Sequence, residues 1–111
     1  MCGLMAAVLV ACGPARPGVL RFSLENADSV LLDSVVVLTT GHRYSLGTVP
    51  PGERRSVAVS ADGESHFEVE HGRGVRRRLH AGGYFERGYV GSYLARVRRD
   101  SVLAIVDSVT F

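Results

Sequence analysis

From Leu20 onward the chain alternates apolar and polar residues with a period of two, and that pattern decides the class of fold it can form. Leu20, Phe22 and Leu24 fall on one side of an extended segment, with Arg21, Ser23 and Glu25 on the other. Successive side chains of a strand point to opposite faces, so such a segment buries one face and solvates the other. The run from Val30 to Thr40 is so rich in β-branched residues that a strand is preferred to a helix, with Asp33-Ser34 expected to divide it. Alternation then puts His42, Tyr44 and Leu46 on one side of their segment, and Val57 and Val59 on one side of the next. Phe67 and Val69 face inward against His66, Glu68 and Glu70, and Val75 and Leu79 inward against Arg76, Arg78 and His80. Arg77 falls on the apolar side, which calls for a bulge, an edge position or a carboxylate partner. Tyr93, Ala95 and Val97 alternate with Leu94, Arg96 and Arg98, and Val102 to Val106 is apolar on both sides.

Turn chemistry separates these segments. Asn26-Ala27-Asp28-Ser29, Gly41, Pro50-Pro51-Gly52-Glu53 and Gly72-Arg73-Gly74 are turn signals. Asp62-Gly63 within Ala61-Asp62-Gly63-Glu64 suits a hairpin, and Ala81 to Tyr89 reads as a glycine and aromatic connection. Turn signals every 8 to 12 residues or so predict an all-β domain, a single antiparallel β-sandwich of about seven or eight strands over residues 19–111. Asp-Ser-Val recurs at Asp28, Asp33, Asp100 and Asp107 at irregular spacing, which is a turn pair feeding a strand and not a solenoid repeat. The order of Asn26, the Asp33-Ser34-Val35-Val36-Val37 strand, Leu46-Gly47 and Pro51-Gly52-Glu53 resembles small immunoglobulin-like or fibronectin-like domains of bacterial envelope proteins. That resemblance implies an immunoglobulin-like sandwich and, resting on turn and core positions, implies no site.

The first residues carry a different signal. Leu4 to Ala11 is an uncharged apolar run, too short for the roughly 20 residues of a membrane-spanning helix and of the length of a secretory h-region. It ends in Leu9-Val10-Ala11-Cys12-Gly13, which resembles the lipobox of bacterial lipoproteins; Met1-Cys2-Gly3 lacks the basic residue usual at the start of such leaders. The resemblance implies a signal peptide over 1–11 and lipidation at Cys12, with several acyl chains holding the protein on the membrane. Residues 12–18 follow as a tether, because Pro14 and Pro17 lack amide donors and the glycines are flexible. Gly13 in place of Asp after the cysteine resembles cargo released to the outer membrane, facing the periplasm, of a two-membrane cell.

Composition narrows the function classes. The 13 basic residues are all arginine, net charge is +2 and the acids are spread along the chain, which argues against the segregated positive face of a nucleic-acid binder. With Cys2 leaving in the leader and Cys12 lipidated, neither of the 2 cysteines is left for a disulfide, redox pair or cysteine zinc site. The serines form no nucleophile elbow and no glycine-rich phosphate loop opens a helix, so catalysis has no motif and no cofactor is expected.

Three groups of side chains could bind something. His66, Glu68 and Glu70 share a strand face, and His80 on the neighbouring hairpin strand could complete a metal site with His66 and Glu68; His71 points the other way. Arg76 and Arg78 could grip a phosphate such as a lipid headgroup, although cross-strand pairing with Glu68 and Glu70 is their simpler use. Tyr84, Phe85, Tyr89 and Tyr93 lie among glycines, and could hold a sugar or peptide or cap one end of the sandwich. The reading that follows is a lipid-anchored, non-catalytic binding or assembly module of the cell envelope, with the membrane and an envelope protein as partners. The alternative is a small metal-binding protein or metal-dependent hydrolase using His66, Glu68 and His80.

Overall fold

The computed structural model describes residues 20–60 and 63–110. The expected leader, lipobox cysteine and tether lie outside the described residues. Eight strands follow one another without a helix among the described residues: β1 Leu20–Asn26, β2 Leu32–Thr39, β3 His42–Val49, β4 Arg54–Val59, β5 Ser65–His71, β6 Arg77–Phe85, β7 Val90–Arg98 and β8 Ser101–Thr110. They form two four-stranded sheets, β4-β1-β7-β8 and β3-β2-β5-β6. The all-β sandwich read from the alternation is therefore the fold. Neighbouring strands run antiparallel except β1 and β7, which pair in parallel from Leu20 opposite Gly91 to Asn26 opposite Val97.

The inward faces are the ones the alternation assigns. Leu20, Phe22 and Leu24 of β1, Val35 and Val37 of β2, Phe67 and Val69 of β5, and Tyr93, Ala95 and Val97 of β7 meet in one buried core. Its centre is aromatic: the Phe67 ring has its centroid 4.4 Å from Phe22, 4.6 Å from Phe85 and 5.0 Å from Tyr93. Fully burying each such side chain contributes about 1.5–3 kcal/mol, which for a domain without a disulfide has to carry most of the stability.

Four local expectations are corrected. β4 and β5 do not form a hairpin: β4 lies in one sheet and β5 in the other, while Ala61 and Asp62 of the expected turn lie outside the described residues. An Asp-Gly turn specifies a reversal of direction but not whether the next strand rejoins the same sheet, and here the partner of β4 is β1. Val75 is 92% exposed in the β5–β6 turn, and β6 starts two residues later than the alternation suggested. Asp33-Ser34 does not divide β2; the strand continues through a bulge in which Ser34 takes φ of 49°. Finally, Ala81 to Phe85 is strand, with a register shift opposite Phe67 and Glu68 that accommodates Gly82 and Gly83. Arg77 is exposed on β6, an edge strand of its sheet, which is one of the three outcomes its position required.

The topology gives the sandwich two distinct ends. One, where β1 begins, gathers the ends of β2, β4 and β6. The other gathers the β1–β2 loop, Pro50 to Glu53, the β5–β6 turn and Arg99-Asp100. At this second end Asn26 is buried and saturated: its amide donates to Val30 O at 2.9 Å and Val49 O at 2.8 Å, and its Oδ1 accepts from Asp28 N at 2.8 Å.

Candidate functional site

The outer face of the β3-β2-β5-β6 sheet carries the densest set of polar side chains that sequence reasoning singled out. Registers Glu70 opposite Arg78 and Glu68 opposite His80 place two carboxylates directly across from a guanidinium and an imidazole. Such pairs have their Cβ atoms within about 5.5 Å of one another. Glu70 collects three arginines: Arg43 at 3.4 Å, Arg76 at 3.3 Å and Arg78 at 3.3 Å. Burial pushes the Glu70 carboxyl up, but hydrogen bonds from Arg78, Arg76 and Arg43 outweigh it and hold the group below its ordinary range.

Arg76 also donates to Ser34 O at 2.8 Å and to Gly72 O, clamping the β5–β6 turn to the β2 bulge. Arg78 divides its guanidinium between Glu70 and Glu68, the latter at 3.4 Å. The two arginines proposed for phosphate are thus engaged by carboxylates and carbonyls of their own sheet, the cross-strand pairing that their position favoured.

Glu68 is the hinge between this ion network and a pair of histidines. Its Oε1 takes Arg78, while its Oε2 lies 3.7 Å from His66 Nε2 and 3.8 Å from His80 Nδ1. The two imidazole centroids are 4.9 Å apart, and all three donor atoms lie within 4.8 Å of one another. The register shift on β6 matters here, because a bulge increases local twist and leans the strand toward its neighbour, which lets His80 reach both Glu68 opposite and His66 on the diagonal. A shallow groove lined by Leu38, Thr39, Thr40, His66 and Glu68 opens beside the cluster. His71 faces the other way, is buried and meets Arg99 O at 2.7 Å through Nε2.

The aromatic group separates into core and surface. Phe85 is fully buried, so it belongs to the packing and offers no binding surface. Tyr93 is likewise buried and donates to Tyr84 O at 2.6 Å. Tyr84 is 51% exposed, with its hydroxyl donating to Glu86 Oε2 at 2.6 Å, and its ring meets Tyr89 edge-on at 6.3 Å. These residues close the end of the sandwich where β1 begins. Cys12, the expected lipidation site, lies outside the described residues.

Sequence reasoning did not find the edge strand. β8 is ten residues long, with Leu103 50% and Val106 56% exposed, and Asp107 is its sole charged residue. The apolar run was legible, but its place at a sheet edge depends on which strand β7 pairs with on its other side. Comparison with protein-family models and with curated proteins finds no match to this chain.

Proposed function

We propose that the chain is a lipid-anchored protein of the bacterial cell envelope whose β-sandwich is a non-catalytic module that assembles with an envelope protein by strand addition at β8. The observation that carries the assembly half is the edge itself. Among the described residues no strand pairs along the outer side of β8, and the strand has no proline and one charge over ten residues. Edges are ordinarily blunted by prolines, charges or short length, and a long apolar edge is a template for a partner's backbone. The anchoring half rests on Leu9-Val10-Ala11-Cys12 and on the proline and glycine stretch that follows. With a lipid at Cys12, the sandwich hangs by the end where β1 begins.

Two measurements test the two halves. Cells fed a palmitate analogue label the protein, and Cys12→Ala abolishes the label; an unlabelled protein, or label that survives the substitution, overturns the anchor. A photo-crosslinking residue at position 103 captures one discrete envelope protein in membranes, and Val106→Lys suppresses it. Absence of a discrete adduct, or one indifferent to Val106→Lys, overturns assembly through β8.

A further inference from the structure

We infer that His66 Nε2, His80 Nδ1 and Glu68 Oε2 form a three-ligand site for a divalent transition-metal ion such as zinc, independent of the β8 edge. The backbone supplies the frame: Glu68 and His80 are register partners on β5 and β6, and His66 is two residues along β5 on the same face. A tetrahedral zinc ion about 2.0–2.1 Å from each ligand requires donor atoms about 3.4 Å apart. The two separations from Glu68 Oε2, 3.7 and 3.8 Å, are already close to that. The remaining contraction falls on the ends of two exposed imidazoles that rotate without disturbing the core.

Three features distinguish the cluster from a patch of solvated side chains. At 3.7 and 3.8 Å neither imidazole hydrogen-bonds the carboxylate, so the three groups converge without satisfying one another. Glu68 is held from behind, with Arg78 on Oε1 leaving Oε2 toward the histidines, the kind of outer contact that orients a ligating carboxylate. Two imidazoles with one carboxylate suit zinc and its neighbours in the transition series, whereas calcium and magnesium take oxygen-rich sets. Solvent exposure of both rings and the groove at Leu38, Thr39 and Thr40 leave a fourth position for water or an external ligand. The site is thus suited to reversible loading.

The test titrates detergent-solubilised full-length protein with zinc chloride against a chromophoric chelator. The expected result is a single zinc ion per chain, unaffected by excess magnesium. His66→Ala, His80→Ala and Glu68→Gln each weaken binding at least about tenfold, whereas His42→Ala does not, and circular dichroism of all four variants matches the parent. No zinc bound in competition with the chelator, or zinc retained with parental affinity in His80→Ala, overturns the site.

Discussion

The side-chain amide of Asn26, at the end of β1, donates to the carbonyl of Val49 at the end of β3, 2.8 Å away and in the opposite sheet. It ties the two layers together at the end where Pro50 to Glu53 turns. Backbone bonds on both sides reinforce it: Asn26 N donates to Glu53 O at 2.9 Å and Gly52 N to Asn26 O at 2.8 Å. Asn26→Ala removes the side-chain donor from Val49 O and Val30 O and the acceptor from Asp28 N. Leaving buried partners unpaired costs about 1–3 kcal/mol each, and partial rehydration near the loops keeps the expected total near 3 kcal/mol. Asn26→Asp is expected to be no better, since it turns a carboxylate oxygen toward two carbonyls. A lower urea midpoint at unchanged slope checks both.

A second prediction concerns the close approach of β6 to β8. Gly83 has φ of +78°, and a Cβ there would meet Ile105 Cδ1 at 2.8 Å, Phe67 at 3.1 Å and Tyr93 at 3.2 Å. Gly83→Ala is expected to cost about 1–3 kcal/mol through overpacking and backbone strain. Because the nearest obstacle is one methyl group, Ile105→Val should relieve part of it, giving a favourable coupling of about 0.5 kcal/mol or more in a double-mutant cycle. Gly91→Ala should be worse and not rescued by trimming, because its Cβ would collide with the backbone oxygen of Ser108. Faster amide exchange along β8 would report that loss.

The inward stripe of each strand was legible because burial on one face imposes a period of two, and Leu20, Phe22, Leu24, Phe67 and Val69 obey it without exception. That Glu68 and Glu70 face basic residues of β6 was legible from the alternation, but the register was not: the connection spans residues 72–76 rather than Gly72-Arg73-Gly74 alone, which sets Glu70 opposite Arg78 and Glu68 opposite His80, two residues further along β6. What was not legible depends on contacts distant in sequence. Val75 has the character of a core residue, yet the Arg76 clamp onto Ser34 O and Gly72 O turns this stretch outward before β6 begins. The β4–β5 crossing and the exposed edge of β8 are decided by which strand lies beside β1 and β7, information that no local pattern contains. Gly82-Gly83 has the local character of a connection because glycine is rare in strands, yet here it marks a bulge within β6.

Acid sensitivity is expected from the face of the other sheet. Glu25 accepts hydrogen bonds from Arg54 at 2.8 Å and Arg96 at 3.1 Å, on strands either side of β1, and these hold its carboxyl below its ordinary 4.5. Asp28, buried beneath Arg99 N at 3.0 Å, is likewise lowered from 3.8. A carboxylate whose folded value is depressed stabilises the native state above its unfolded value and loses that contribution as pH falls through the folded one. The urea midpoint should therefore be level from neutrality to about pH 5 and fall below the ordinary carboxylate range. Glu25→Gln should lower the plateau and flatten the fall. A midpoint that declines equally in both proteins would remove Glu25 as a source of the dependence.

Tyr84 offers a measurement local to the end of the sandwich where β1 begins. Its hydroxyl donates to Glu86 Oε2, and that bond, with partial burial, pushes the phenol from 10.0 up to about 12. Ionising Tyr84 would place an oxyanion against a carboxylate and lose the donor, so the neutral phenol is favoured. Tyr93 is raised as well, chiefly by burial, and donates to a backbone carbonyl instead. Glu86→Gln should thus bring Tyr84 back toward 10 while leaving Tyr93 unchanged. The check is the ring carbon bearing the hydroxyl, followed by carbon-13 resonance as pH rises to 11. In the parent the Tyr84 signal should stay at its neutral position throughout, and in Glu86→Gln it should move through most of its range. An early transition of Tyr84 in the parent would show that the hydroxyl does not hold Glu86 in solution.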